Sequence, residues 1–222
     1  CELSRGLGDV YKRQDYDMSN KTKLSYTCHV VIGLTRDGRF DILHAKKYEG
    51  MTYSAIADDI MKNHNDLNGL ALGADYGVGY AYNMLLRERM APEQNMIFKY
   101  SAPSSDILKE SPTMFNLYSL NRTESITALY YAIKSMRIRA VTWEKMEEYL
   151  SDMLNLIRVP QENNTGTTGF LYRKHGARSD DFLHALNFAY IVGRVFLQEP
   201  IVQDRALLER MKLSMTRGAP ID

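Results

Sequence analysis

Cysteine is nearly missing from this chain: Cys1 and Cys28 are the two in 222 residues. Two thiols build neither a cysteine-paired zinc site nor a disulfide framework, so a reducing cytoplasm is the expected compartment. No apolar run approaches the roughly 18 residues a membrane-spanning helix needs. Nor does a basic start followed by an apolar stretch mark a secretory leader. Net charge is also close to absent, at +1 from 28 basic and 27 acidic residues. Bulk charge therefore gives no support to nucleic-acid binding, and any contact with a polyanion must come from a local patch. A Gly-x-x-x-x-Gly-Lys-Ser/Thr phosphate loop is lacking, which excludes a phosphate-loop ATPase within these residues. There is no internal repeat and no low-complexity tract. What remains is an ordinary globular composition, 45% hydrophobic and 25% charged, long enough for one substantial core.

The first fourteen residues stand apart. Asp9-Val10-Tyr11-Lys12-Arg13-Gln14 reads as the translation of a transposase end used in shotgun library preparation, and Cys1 to Gly8 resembles the same adaptor. Residues 1–14 are accordingly read as a sequencing artefact to be set aside in reasoning about the fold; the alternative is a basic N-terminal arm. The natural protein is then expected to extend upstream of Asp15. Without 1–14 the chain has 25 basic and 25 acidic residues. The expected organisation is one domain over 15–197 and a C-terminal tail over 198–222.

Along the chain, Tyr26 to Leu34 is β-branched and apolar and predicts a strand. Arg36-Asp37-Gly38-Arg39 predicts a hairpin turn, and Phe40 to Lys47 the returning strand. Tyr53 to His64 carries a helical stripe behind Thr52 as N-cap. Gly69 to Asp75 reads as a strand buried on both faces, Tyr80 to Arg89 as a helix and Met96 to Tyr100 as a strand. Residues 101–120 read as a loop or insertion. Asn121 to Met136 and Thr142 to Ile157 read as helices, Gln161 to Gly169 as a polar loop and Phe170 to Arg173 as a short strand. Ser179 is expected to N-cap a last apolar helix running to about Phe196. The order predicts an α/β domain with a mixed central β-sheet flanked by helices.

Carboxylates fall at the ends of these elements in three places: Asp15-Tyr16-Asp17, Asp75, and Asp180-Asp181. An α/β fold gathers such ends at one sheet edge. Clustered carboxylates repel unless a cation joins them, and hard oxygen ligands suit Mg²⁺ or Mn²⁺. Taken singly, each has a plainer reading: Asp75 as a turn residue, Asp180-Asp181 as partners of a helix dipole. Only the ordered set is informative.

That set, with its surroundings, resembles the nuclease domain of tailed-bacteriophage terminase large subunits, a branch of the RNase H-like nucleases. The matching text is Asp15-Tyr16, then Asp75-Tyr76-Gly77-Val78-Gly79, then Ser179-Asp180-Asp181-Phe182-Leu183-His184-Ala185-Leu186. Asn121-Arg122-Thr123-Glu124 opening a helix, with Ile133-Lys134 and Arg137-Ile138 beyond, is a further likeness. The resemblance covers residues 15 to about 196. It implies an RNase H-like fold and a two-metal-ion endonuclease cutting concatemeric double-stranded DNA during genome packaging. It implies two ions, Mg²⁺ or Mn²⁺, held by Asp15, Asp75 and Asp181. Asp180 is an alternative or additional ligand, and Asp17 the alternative to Asp15. Gly77 and Gly79 would turn the backbone beside the site. His184 and His175 are candidates for its periphery, and Arg173, Lys174 and Arg178 for DNA phosphates; Arg122 and Lys134 read as surface helix charges. Implied partners are DNA, a portal ring, a small terminase subunit and an upstream ATPase domain, in the cytoplasm of an infected bacterial host. The sequence departs from the pattern in having Ser179 where a histidine commonly precedes the Asp pair, and Ala140-Val141 where proline is frequent. Rival readings are a junction resolvase or transposase core, and a non-catalytic assembly module of the same fold.

Overall fold

The computed structural model describes residues 6–12, 26–77, 80–101, 106–140, 142, 144–162, 168–176 and 179–197. Among the described residues ten strands form one eight-stranded sheet and one two-stranded ribbon. The first strands are β1 (Gly6–Lys12), β2 (Thr27–Leu34) and β3 (Phe40–Tyr48). Between β2 and β3, Gly38 takes a positive φ of 77°, and Thr35 accepts the Gly38 amide at 3.1 Å. This is the tight reversal that Asp-Gly favours. Helix α1 (Tyr53–Asp66) starts where the Thr52 hydroxyl accepts the Ala55 amide, a side-chain cap. There follow β4 (Leu72–Asp75), α2 (Tyr80–Arg87), β5 (Asn95–Ser101), β6 (Leu108–Glu110), β7 (Leu117–Asn121), α3 (Arg122–Lys134), β8 (Ile138–Ala140) and α4 (Glu147–Met153). Last come β9 (Leu156–Glu162), β10 (Thr168–Lys174) and α5 (Asp181–Phe196).

The large sheet runs β6-β7-β5-β4-β1-β2-β3-β8. β1 pairs antiparallel with β2 and parallel with β4, while β4, β5 and β7 are parallel to one another. The segment read as adaptor-derived thus includes the strand at the sheet's centre. Alternation along β2 sends Cys28, Val30 and Ile32 into the main core with α5, and His29 and Val31 to the opposite layer. On β4, Leu72 and Ala74 join the second core beside Ile56, Ala57 and Ile60 of α1. Helix α5 is buried from Asp181 through Arg194, the pattern of a helix enclosed on all sides. It packs across β1, β2 and β4. No helix among the described residues is long and apolar enough to cross a membrane.

The region from 101 to 120 is not simply a loop: it supplies β6 and β7 at one sheet border. Nor is 142–157 a single helix. Helix α4 covers Glu147–Met153, and Leu156 begins β9, whose ribbon with β10 takes up both ends of the expected polar loop. The periodicity misled because Ile157 and Leu156 continue a helical spacing, while Pro160 is tolerated in a ribbon with no interior strand. The last helix is capped differently from expectation too. Its N-cap is Asp180, which makes no side-chain cap hydrogen bond.

Candidate active site

Strand direction decides where the acids meet. The carboxyl ends of β1, β4, β5 and β7 share one edge of the sheet with the start of β2 and the first turn of α3. Asp75 is the last residue of β4, and with Leu72 and Ala74 turned to the α1 layer it faces α5. The Asp75 carboxylate accepts the Gly77 amide at 3.0 Å, and Asn83 of α2 donates to the Asp75 carbonyl at 2.8 Å. A Cβ on Gly77 would stand 2.9 Å from that carboxylate and displace it, so glycine here leaves Asp75 its position.

Helix α5 is pinned over this edge at two points. At its first residue, the Asp181 carboxylate accepts the Tyr26 amide at 3.1 Å and the Ser179 hydroxyl at 2.7 Å, just before β2. One turn on, His184 Nδ1 meets the Tyr100 hydroxyl at 2.8 Å, at the end of β5. β4 lies between β2 and β5 in the sheet, one strand spacing of about 4.8 Å from β5 and about 10 Å from β2. Asp75 therefore sits beneath the span of α5 that joins the two pins.

The two neighbouring aspartates have separate surroundings. Asp180 is fully buried, with Lys174 Nζ at 3.3 Å, His184 Nε2 at 3.1 Å and Arg122 at 3.7 Å. Burial pushes its carboxyl up, but the hydrogen bond and charge of His184, with Lys174, outweigh this and hold it well below the usual carboxylate range. Asp181 is pushed up to about 7 by burial, with the charges of Asp180 and Asp152 adding to the rise and Ser179 and Lys174 opposing it. Asp152 of α4 is pushed up to about 6, again by burial foremost, against the Phe182 amide and Ser179. Its carboxylate accepts the Phe182 amide at 3.2 Å and the Tyr26 hydroxyl, with Lys47 at 3.7 Å.

Of the residues the sequence singles out, Asp180, Asp181, His184 and Lys174 cluster at the start of α5, and Asp75 ends β4 on the same edge of the sheet. Gly77 turns beside it. Arg173 and His175 are exposed on and just after β10. Asp15, Asp17, Gly79 and Arg178 lie outside the described residues. Sequence reasoning missed Asp152, Tyr26 and Tyr100, and took Ser179 for the helix cap and Arg122 for a surface charge. Asn121 capping α3 was a usable signal for Arg122, since it fixes the next residue at a buried helix start.

Buried carboxyl groups that raise one another's proton affinity form a setting that a divalent cation relieves. Asp181, whose carboxyl is raised by burial and by Asp180 and Asp152, fits that role, whereas Asp180 is already matched by Lys174, Arg122 and His184. Among the described residues no three His, Cys, Asp or Glu side chains converge to hold an ion. A complete ligand set thus needs a further donor, and Asp15 and Asp17 are the candidates the sequence offers.

No family model matches the chain, and no curated protein matches it. Solved structures do. The large terminase nuclease from thermophilic phage G20c aligns at 16% identity over 85% of this chain and 81% of that one, with a TM-score of 0.52. The nuclease domain of the large terminase subunit gp2 of bacterial virus Sf6 aligns at 13% identity over 83% and 87%, with a TM-score of 0.56. The HK97 bacteriophage large terminase aligns at 11% identity over 86% of this chain and 39% of its own, with a TM-score of 0.50. A mutant Sf6 domain is solved with manganese and with calcium. At such identities the likeness is one of architecture: this chain has the RNase H-like fold of the large-terminase nuclease domains.

Proposed function

We propose that the chain is a large-terminase nuclease, a metal-dependent endonuclease that cuts double-stranded DNA during phage genome packaging. The observation that carries this reading is the placement of Asp181, buried and tied to Tyr26, across the edge where Asp75 faces the same helix. Asp75 and Asp181 are the described residues that would hold Mg²⁺ or Mn²⁺, joined by Asp15 or Asp17. The bound ions would supply Lewis acidity to the phosphate and a water of lowered pKa.

The remaining work belongs to the chain's own groups. Asn83 and the Gly77 amide fix the end of β4, so that Asp75 presents its carboxylate without rearrangement. Asp180 holds Lys174 and Arg122 close to the edge, where cations can meet a phosphodiester. Arg173, next to Lys174 on β10, is exposed and is a further candidate for phosphate contact. A role beside a portal ring, a small subunit and an ATPase motor, in the host cytoplasm, follows from the resemblance alone.

The test is relaxation of supercoiled plasmid by the full chain in Mn²⁺ or Mg²⁺, compared with D75N and D181N. Each variant is expected to lose about 100-fold or more, equivalent to ~3 kcal/mol of barrier, and chelation to abolish cutting. Cutting by D75N at the unchanged rate would end the proposal.

A further inference from the structure

Helix α5 begins without help from its own cap residue. Asp180 stands at the N-cap and makes no side-chain cap hydrogen bond, because its oxygens face Lys174, Arg122 and His184. The first-turn amides of a buried helix still need acceptors. The Phe182 amide finds one on another element, the Asp152 carboxylate of α4, 30 residues earlier in the chain.

The same Asp152 oxygen that accepts Phe182 also accepts the Tyr26 hydroxyl and lies 3.4 Å from the Ser179 hydroxyl. Tyr26 and Ser179 both donate to Asp181. Tyr26 thus straddles two carboxylates, its amide on Asp181 and its phenol on Asp152. Lys47 backs the arrangement, 3.7 Å from the other Asp152 oxygen, with its ammonium 4.6 Å from the Tyr26 ring centre and 4.9 Å from that of Tyr149. Asp152 is 3% exposed, so its carboxylate is shielded from solvent while Tyr26, Ser179 and Lys47 around it are half-buried.

We propose that Asp152 is a positioning residue: it caps α5 in place of Asp180 and, through Tyr26 and Ser179, fixes the direction of the Asp181 carboxylate. The arrangement frees both members of the Asp pair from capping, one to hold cations of the chain and the other to face the sheet edge. The inference rests on the nuclease reading for its consequence in catalysis, but not for its geometry.

The experiment compares the full chain with D152A and D152N. Asparagine keeps an oxygen for the Phe182 amide and the Tyr26 hydroxyl; alanine keeps none. D152A is expected to need about tenfold more Mn²⁺ for half-maximal plasmid cutting, the loss typical of removing a group that orients a metal ligand. Hydrogen exchange at the Phe182 amide should speed up in D152A without metal present. D152N should restore both readings. An unchanged Mn²⁺ requirement in D152A overturns the proposal, as does a D152N that protects Phe182 yet needs as much Mn²⁺ as D152A. If D152A fails to fold, Y26F, which removes the phenol bridge alone, is expected to raise the Mn²⁺ requirement while leaving the Phe182 amide protected, and an unchanged requirement overturns the proposal. Should the unchanged chain cut no DNA, the nuclease reading falls by itself. Calorimetric Mn²⁺ affinity, weaker in D152A and restored in D152N, then decides the role of Asp152.

Discussion

At the scale of single residues, burial sets the titration of groups well away from the acidic edge. His29 on β2 is fully buried, and neither of its ring nitrogens has a hydrogen-bond partner among the described residues. Burial first, then the charge of His44, lowers its pKa from 6.5 to about 3. The folded chain therefore refuses a proton that the unfolded chain accepts below pH 6.5. The associated stability is present above that pH and is lost as pH falls toward 3, amounting to about 2 kcal/mol by pH 5. Asp152 and Asp181 run in the opposite sense, since their raised pKa values favour the folded state as pH falls. The difference between the chain and His29→Leu isolates the histidine. H29L is expected to unfold at higher urea concentration at pH 5, with a gap that narrows by pH 7.5. Equal gaps at both pH values would contradict the assignment. Sequence reading singled out Asp75 and Asp181 because each stands beside a recognisable turn or helix start. It missed Asp152 and Tyr26 because their roles depend on partners 30 and 155 residues away, which no local pattern encodes.

Among elements, the long and strongly patterned ones were legible: β2, β3, α1, β5 and α5 lie within a residue or two of expectation. The short ones were not. β6 and β8 have three residues each, too few for alternation to register, and they form because a neighbouring strand offers free hydrogen-bonding groups. Helix ends followed a rule that sequence alone conceals. α3 closes with the Met136 amide bonded to the Ile133 carbonyl and Arg137 to Ala132, a Schellman motif with Met136 at a positive φ of 59°. α1 closes in the same way at Asn68, a residue that tolerates this conformation better. Met136 is 60% exposed, so its side chain does little there. Met136→Gly should gain about 1 kcal/mol, or roughly 2–4 °C in Tm, by relieving the left-handed backbone. A lower Tm, read by calorimetry, would show that the methionine contributes packing instead.

For the whole molecule, the central position belongs to β1, which pairs with β2 along seven residues and with β4 along three. A chain beginning at Asp15 would leave facing edges of β2 and β4 unpaired in the middle of the sheet. Such a chain is expected to show no cooperative thermal transition by circular dichroism, whereas the full chain melts sharply; a sharp melt of the shortened chain would show that β1 is dispensable. The mixed sheet was legible from the order of hairpin, crossover helix and parallel strands. Its central strand falls in residues 6–12, the segment the sequence reading set aside as adaptor-derived. Helix α5 has a further effect on how the molecule comes into being. It is the last described element, yet it seals the core face of β2, and its first residue bonds a backbone group 155 positions earlier. Folding must therefore close a very long loop before the main core is dry, which places this chain among slow folders. Until that closure, Cys28, Val30 and Ile32 remain open to water on a nascent sheet, and during synthesis that half-built surface is where aggregation or chaperone capture would begin.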